Sequence, residues 1–314
     1  MYNPTKVDLE KLRDAVEASE RDSGWAPTLW LETTPDDPGM GQARVAVDRG
    51  VDLVLSAGGD GTLRAVAESV RGRDVSIGVI PLGTGNLLAR NLDLDVNASK
   101  LEDAVRIAFT GQDRPIDVGV IDIEREDGGR AEHAFLVMAG LGLDAKMIAN
   151  TRPELKRRVG WLAYVDAIAR SLVDRDVLRI RYRLDDGEVR ATRVHTIMVG
   201  NCGTMPGNVV LLPDAEIDDG VFDIVTLRPE GFGGWAQIWF KIIWENGVLR
   251  RSQVGRKILS IRGDIRTMRY LRGREISARL ERAEEFELDG DEFGKVVGFS
   301  ARVDPGSLRV RVPA

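Results

Sequence analysis

The segment Leu53–Leu63 constrains the fold of this chain most, because a buried-strand pattern passes directly into a helical one. The largely apolar run Leu53–Ala57 ends in three glycines around one carboxylate, Asp60, and a helical repeat of apolar residues follows. A strand that turns sharply into a helix brings backbone N–H groups and a helix N-terminus to one point, which suits phosphate. A carboxylate there repels phosphate unless a divalent cation lies between them. The segment therefore predicts a nucleotide site that uses a metal ion.

A second glycine loop follows the next predicted strand. Residues 75–80 are apolar, and the loop Gly83-Thr84-Gly85-Asn86 begins 25 residues after Gly58. Ligands of parallel sheets bind at the carboxyl ends of strands, so the two loops are expected to line one cleft. Each loop alone also has a plain structural interpretation, as an Asp-Gly turn or an Asn helix cap. The pairing of the two loops favours nucleotide contact.

Strand and helix patterns alternate through the first third of the chain. This alternation predicts a doubly wound, mostly parallel α/β domain over residues 1–114. The predicted helices cover 7–23, 39–49, 62–71 and 99–111, with another from about residue 87, and the predicted strands cover 28–32, 51–57 and 75–80.

The pattern changes after Arg114, where short β-branched segments are separated by Gly and Asp turns. Residues 115–306 therefore predict a larger, mainly antiparallel β domain. Helical patterns at 153–173 and 231–250 interrupt it as two insertions. The final strand pattern leaves open whether residues 307–314 return to the first domain.

Composition excludes several classes of protein. A length of 314 residues allows two domains, and the net charge of −6 argues against nucleic acid as a partner. One cysteine and two histidines exclude a disulfide framework and argue against a zinc site. The chain shows no signal peptide and no apolar run near the roughly 18 residues of a membrane span. A cytoplasmic protein with at most peripheral membrane contact, at the inner face, is expected.

Four motifs follow one another over most of the chain: Ala57–Leu63, Ile80–Asn86, Ile116–Gly119 and Pro213–Gly220. Together they resemble the diacylglycerol kinase catalytic-domain family, the bacterial soluble lipid kinases related to sphingosine and ceramide kinases. The Gly-Gly-Asp-Gly element alone is shared with NAD kinases and phosphofructokinases. The Pro-x-Ala-x-x-x-Asp-Gly stretch and the Asn after Gly-Thr-x point to the lipid branch.

The resemblance implies Mg²⁺-dependent transfer of the γ-phosphoryl group of ATP to a lipid hydroxyl, with diacylglycerol as the first candidate and phosphatidate as its product. By position, Asp60 and Asp117 would form a carboxylate network that organises Mg²⁺. Asp291 would act as the base for the lipid hydroxyl. The residues expected to line the nucleotide are Asn3, Gly58, Gly59, Gly61, Thr62, Gly83, Thr84, Gly85 and Asn86.

The chain departs from the family pattern in three places. Asp291 stands where the family usually has Glu, and a shorter side chain matters where catalysis depends on positioning. A plain β-turn with solvated acids is the alternative there. Leu87 stands where the family commonly has an Asp of the magnesium network. The family also has a strand before the Asn-Pro turn, whereas Asn3 is almost the first residue of this sequence.

The resemblance also implies a structural Mg²⁺ held by Asp219 and the main-chain carbonyls of Glu216 and Val221, ligands that suit this ion. A plain Asp-Asp-Gly hairpin turn is the competing interpretation.

Membrane contact is predicted for residues 231–274. Three of the six tryptophans lie in 235–244, and nine Lys or Arg residues with a single acid, Asp264, lie in 250–274. Such a segment suits anionic headgroups. An apolar helix packed on its own sheet is the alternative. The lipid substrate is itself membrane-resident, and the oligomeric state stays open, a homodimer included.

Two other functions compete with a lipid kinase. The shared glycine motif allows a soluble kinase of the NAD kinase type. The replacements at Leu87 and Asp291 allow a catalytically degenerate homologue that binds lipid or nucleotide without turnover.

Overall fold

The computed structural model describes residues 1–95, 100–142, 177–205, 209–229, 234, 237–238 and 267–314. The chain divides into two compact units, 1–118 with 304–314 and 119–303. The predicted fold class, an α/β unit and a β-rich unit, is confirmed. Asp117, placed in the second domain by the sequence-based boundary, belongs to the first unit. Within the described ranges, no helix is long and apolar enough to cross a membrane.

The first unit contains a parallel sheet with helices. Strands β1 and β2 pair in parallel, with Gly58 opposite Pro81, and Arg309 and Val310 of the C-terminal segment extend the sheet in parallel beside β2. Residues 307–314 therefore belong to the first unit. The elements are α1 Leu9–Ser23, α2 Met40–Asp48, β1 Leu53–Gly58, α3 Asp60–Val70, β2 Ser76–Pro81, α4 Leu87–Asn91 and α5 Leu101–Thr110.

The first residues of the chain lie beside β1. Tyr2 forms isolated parallel bridges to Ala57 and to Glu32, and the Asn3 N–H donates to the Ala57 carbonyl at 3.0 Å. The predicted strand 28–32 is wrong in extent, because only Glu32 takes part in a bridge. The segment at Tyr2 that pairs with Glu32 is short, so the pairing does not extend into a regular ladder.

The core of the first unit lies where α1 and α5 pack on the sheet. Apolar residues at helical spacing put Leu12 and Val16 of α1 and Val105 and Ala108 of α5 into one buried cluster. Helix α1 begins at the N-cap Asp8, whose carboxylate accepts the Lys11 N–H, as expected for this residue type.

The second unit is built from antiparallel strands. Its strands are β3 Gln112–Glu124, β4 Arg130–Phe135, β5 Met138–Leu141, β6 Leu178–Leu184, β7 Arg190–Val194, β8 Thr196–Gly200, β9 Thr204–Met205, β10 Val209–Val210, β11 Phe222–Leu227, β12 Met268–Gly273, β13 Glu275–Leu288 and β14 Asp291–Val312. Residues 112–118 of β3 and 304–312 of β14 belong to the first unit. Strand β13 pairs with the first part of β14 and with β5 and β6; β8 joins β5 to β11, which pairs with β12. Smaller hairpins are β3 with β4, β6 with β7 and β9 with β10.

Strict alternation of apolar and polar residues along the strands produces the core of the second unit. Leu178, Ile180 and Tyr182 of β6 are buried in the main apolar cluster, while the arginines between them are exposed. The predicted helices 153–173 and 231–250 lie outside the described residues, apart from 234 and 237–238.

Gly78 marks the tightest packing between the sheet and α5. A Cβ atom on Gly78 would lie 2.5 Å from the Ala108 Cβ and 2.7 Å from a Leu55 methyl carbon. We therefore expect Gly78→Ala to lower the free energy of unfolding by about 1–3 kcal/mol, because overpacking forces these neighbours apart. Urea unfolding measures the change. Val45→Ala, at an exposed position of α2, is the control and should change stability by less than about 0.5 kcal/mol. Equal midpoints for Gly78→Ala and the parent would contradict this packing.

Candidate active site

The two glycine loops meet at one end of the parallel sheet. Because Gly58 is paired with Pro81, both strands end at the same level and their loops leave side by side. A Cβ on Gly83 would lie 2.6 Å from the Gly59 Cα, and one on Gly59 would lie 3.4 Å from the Gly83 Cα. Only glycine at residue 83 permits this approach. The loops predicted to line one cleft are therefore neighbours.

Asp60 joins the two loops. It is the first residue of α3, and its Oδ1 accepts the Leu87 N–H, at the start of α4, at 2.5 Å. Its Oδ2 faces the second loop, since a Cβ on Gly85 would lie 2.6 Å from that oxygen. Two helix N-termini thus lie next to one carboxylate, which their partial positive charge favours. The arrangement suits a bound cation with anionic oxygens beyond it.

Asn86 holds the second loop in shape. Its backbone has a left-handed φ of 48°, and its side chain is buried. The Asn86 Oδ1 accepts the Gly83 N–H at 2.9 Å, and its Nδ2 donates to the Gly83 carbonyl at 2.9 Å. The side chain is thus used to close the loop. Its predicted contact with a nucleotide stays a prediction.

The other residues expected to line the nucleotide differ in their exposure. Thr84 is exposed at the loop surface and Gly61 is partly exposed in the first turn of α3, so both are accessible. Thr62 is buried, because its side chain packs beneath Gly58, where a Cβ would lie 2.9 Å from the Thr62 Oγ1. Asn3 lies beside the end of β1, where its Oδ1 accepts the Thr5 N–H at 3.0 Å.

Asp117 lies in the buried part of the first unit. It is 2% exposed, and its Oδ1 accepts the Gly306 N–H at 2.8 Å. The carboxylate therefore fixes the turn through which the C-terminal segment approaches β2. Its predicted place in a magnesium network stays a prediction.

Asp291 follows a two-residue hairpin turn in the second unit. Leu288 and Asp291 are paired, and Asp289 and Gly290 between them have φ values of 50° and 89°. Such a turn is typical of Asp-Gly. Asp291 itself is exposed at the start of β14, which leaves its carboxylate accessible. The base role predicted for Asp291 stays a prediction.

Asp289, which the sequence analysis did not single out, is a buried anchor. Its Oδ2 accepts the Leu136 N–H at 2.8 Å, and its Oδ1 accepts the N–H groups of Val137 and Met138 at 2.8 and 3.0 Å. Three backbone donors therefore fix the residue two positions before Asp291. An Asp-Gly pair between two strand patterns was the signal in the sequence.

Asp219, the predicted metal ligand, already has a cationic partner. Its Oδ1 accepts the Val221 N–H at 3.2 Å, and its Oδ2 forms an ion pair with Arg272. Among the residues that the structure describes, no cluster of three His, Cys, Asp or Glu side chains is arranged to hold a metal. A cation here would compete with Arg272, so the structural Mg²⁺ at Glu216, Asp219 and Val221 stays a prediction.

Asp223 lies near this pair and is only 5% exposed. Burial raises the pKa of its carboxyl from 3.8 to about 6, against the effect of Arg272, whose Nε lies 3.3 Å away; the nearby charges of Asp219 and Asp214 raise the pKa further. An acidic residue inside the apolar run of β11 was the signal in the sequence.

Two family models match the chain. The diacylglycerol kinase catalytic domain matches residues 5–121, and the YegS C-terminal NAD kinase beta sandwich-like domain matches residues 136–233. The first match contains both glycine loops and Asp117. The two matches thus correspond to the α/β unit and to part of the β-rich unit.

Curated relatives and solved structures agree with these matches. A probable lipid kinase of the YegS-like type from Pseudomonas aeruginosa is 32% identical over 97% of this chain and 90% of its own length. A diacylglycerol kinase from Bacillus subtilis is 29% identical over 73% of this chain and 72% of its own length. The crystal structure of a diacylglycerol kinase from Bacillus anthracis aligns with a TM-score of 0.68 and 17% identity, over 98% of this chain and 92% of that one, which shows the fold.

Removing the Asp289 carboxylate should destabilise the protein. We expect Asp289→Ala to lower the free energy of unfolding by about 3 kcal/mol or more, because buried N–H groups lose their acceptor. Asp289→Asn should lower the stability less than Asp289→Ala does, because the amide oxygen still accepts backbone N–H groups. It should not be neutral, because the amide NH₂ group then faces a backbone N–H donor. Urea unfolding measures both. Asp127→Asn is the matched control, an exposed Asp whose carboxylate accepts the Gly129 N–H in another turn. An Asp289→Ala protein as stable as the control would contradict the anchor.

The raised pKa of Asp223 predicts a specific pH dependence of stability. Between pH 4 and 6 the folded state keeps a proton that the unfolded state has lost, so stability falls as the pH rises through this window. The loss is up to about 3 kcal/mol and is complete above pH 6. Asp223→Asn removes the group, so the stability of the variant relative to the parent should rise by that amount from pH 4 to 7. Urea unfolding across this range tests the prediction, and a pH-independent difference would contradict it.

Proposed function

Because this chain belongs to the diacylglycerol kinase catalytic-domain family, among its YegS-like lipid kinases, we propose that it transfers the γ-phosphoryl group of ATP to the hydroxyl group of a membrane lipid. The observation that carries the proposal is the contact between the two glycine loops, with Asp60 placed across it. We further propose diacylglycerol as the acceptor and phosphatidate as the product, a choice supported by the named activity of the Bacillus subtilis relative.

The glycine loops supply the binding surface for the nucleotide phosphates in this proposal. Close approach of Gly59 and Gly83 exposes backbone rather than side chains at the end of the sheet, and backbone N–H groups are effective phosphate donors. The N-termini of α3 and α4 add their positive dipole ends at the same place. Thr84 is exposed and available for a further hydrogen bond.

Asp60 would hold the magnesium ion. Its Oδ1 is oriented by the Leu87 N–H, and the glycine at residue 85 lets the second loop pass close to Oδ2. A carboxylate with adjacent phosphate oxygens is a ligand set that Mg²⁺ prefers. When bound, the ion neutralises charge on the transferring phosphoryl group. Because Leu87 has no carboxylate, Asp60 and Asp117 would be left to hold the magnesium ion.

Asp291 would accept the proton of the lipid hydroxyl. Its carboxylate is exposed, and the hairpin turn that precedes it is fixed by the three hydrogen bonds to Asp289. A fixed turn holds the shorter Asp291 side chain in one position, and positioning decides how well a base works. Contact with the inner face of the membrane, including residues 231–274, belongs to the same proposal.

The central test is phosphorylation of lipid by the full chain. Incubation with ATP labelled at the γ-phosphoryl group, Mg²⁺ and a mixed lipid extract should give a phosphorylated lipid, to be identified by mass spectrometry. Asp60→Ala should lower the rate by about 100-fold or more, as expected for a group that organises charge in the transition state. Asp60→Asn keeps an oxygen for the Leu87 N–H but loses the charge, and it should be nearly as inactive.

The controls separate a catalytic role from a structural one. Asp14→Ala, at an exposed position of α1, should keep full activity. Full activity in Asp60→Asn would remove the Asp60 charge from the mechanism. Phosphorylation of NAD instead of lipid would replace the proposal with a kinase of the NAD kinase type. Binding of ATP without turnover on any lipid would indicate a degenerate homologue.

A further inference from the structure

One exposed face of the second unit carries five arginines in a small area. Strand β6 presents Arg179, Arg181 and Arg183 on the side away from the apolar core, β7 adds Arg193 and β13 adds Arg279. We call these five residues the arginine face. Along β6 the three arginines span about 13 Å, and neighbouring strands lie about 4.8 Å apart.

Four of the five arginines stand directly opposite one another in two cross-strand pairs, and Arg183 stands opposite Ser277. Arg181 is the cross-strand partner of Arg279, and Arg179 is the cross-strand partner of Arg193. Like charges at such positions destabilise a sheet, because their Cβ atoms lie about 5 Å apart. Two such pairs side by side break a local folding preference, which is typical of surfaces that bind a ligand.

Carboxylates neutralise only part of this charge. Glu281 forms an ion pair with Arg179 at 3.3 Å, and Glu124 forms one with Arg279 at 2.9 Å while also pairing with Arg130. In the described part of the chain, no ion pair involves Arg181, Arg183 or Arg193. A net positive surface therefore remains on a protein whose overall charge is −6.

Two shallow cavities cross the arginine face. One, of about 490 Å³, is lined by Arg181, Arg183 and Arg279 together with the carboxylates of Asp122 and Glu124. A second, of about 610 Å³, is lined by Arg179, Arg193 and Arg228 together with Glu281. Guanidinium groups bind phosphate oxygens in a bidentate manner. Several guanidiniums spread over a sheet surface suit several phosphates side by side better than one enclosed ligand.

Exposed apolar side chains border the same face. The described residues include four exposed large hydrophobic side chains, and two of them are Val177, which precedes β6, and Val189, which precedes β7. They are 44% and 66% exposed, and both line cavities that arginines of this face also line. Apolar side chains beside a basic surface are typical of proteins that lie on a lipid bilayer.

We propose that the arginine face, with Val177 and Val189 at its border, docks the protein on a bilayer that carries anionic phospholipid headgroups. The inference deepens the proposed function and rests on it, because a kinase for a membrane lipid must work at a bilayer. A bilayer fits the charge distribution better than nucleic acid does, since it contacts this local face while a long polyanion would also meet the acidic remainder of the chain.

Vesicle sedimentation tests the docking face. The full chain is mixed with vesicles of phosphatidylcholine alone, or of phosphatidylcholine and phosphatidylglycerol in equal parts, at low and high salt. We expect binding to the anionic vesicles only. R181Q/R193Q should bind about 25-fold more weakly, at about fivefold per arginine, and R183Q about fivefold more weakly. Added salt should weaken binding of the parent more than that of R181Q/R193Q.

Matched variants separate charge from other effects. R181K/R193K keeps the charge and should retain binding, while R21Q/R106Q removes two exposed arginines from α1 and α5 and should bind like the parent. Equal binding of the parent and R181Q/R193Q, or no preference for anionic vesicles, would overturn the proposal. So would binding of duplex DNA, dependent on Arg181 and Arg193, without binding of vesicles.

An activity assay separates this inference from the proposed function. With diacylglycerol in neutral detergent micelles, R181Q/R193Q should phosphorylate as well as the parent, because no anionic surface is present. Binding of vesicles that depends on the arginines in an enzyme inactive on lipid would support the face and refute the kinase. Full activity in micelles, together with equal vesicle binding by the parent and R181Q/R193Q, would refute the docking face and leave the kinase proposal standing.

Discussion

The hydrogen bond from the Leu87 N–H to the Asp60 carboxylate is the contact on which the candidate site depends. It joins the first turns of α3 and α4, and it is available only because the glycine loops pack backbone against backbone. The parallel register of β1 and β2 sets this approach by ending both strands at one level. The same geometry brings both loops and the first turns of both helices beside one carboxylate, and the proposed phosphate site rests on this arrangement.

Three carboxylates in this protein hold backbone segments in place. Asp60 accepts from Leu87, Asp117 accepts from Gly306, and Asp289 accepts three N–H groups around residue 137. A charged acceptor bound to backbone donors is among the stronger hydrogen bonds in a protein. Replacing any of these residues therefore changes the local structure as well as the charge, and amide variants separate the two effects.

Charge is distributed unevenly over an acidic chain. The glycine loops contain a carboxylate between two helix N-termini, whereas the arginine face concentrates positive charge on one side of the second unit. Local fields of this kind decide which ligand approaches where, and the net charge of −6 does not. Of the two features, only the arginine face breaks a local folding preference, because arginine stands opposite arginine there, whereas the Asp60 carboxylate lies where helix N-termini favour it.

Hydrophobic patterns and glycine spacing were enough to predict the fold class and the positions of the two glycine loops. Hydrophobic periodicity is a local signal, so the helices and strands around both glycine loops were predicted nearly to their ends. Contacts between distant residues leave no such signal. Tertiary structure alone decided that Gly59 and Gly83 touch, that Asp289 holds residues 136–138, and that the arginines of β6, β7 and β13 share one face. Each depends on strand pairing, in which register brings together residues that are far apart along the chain.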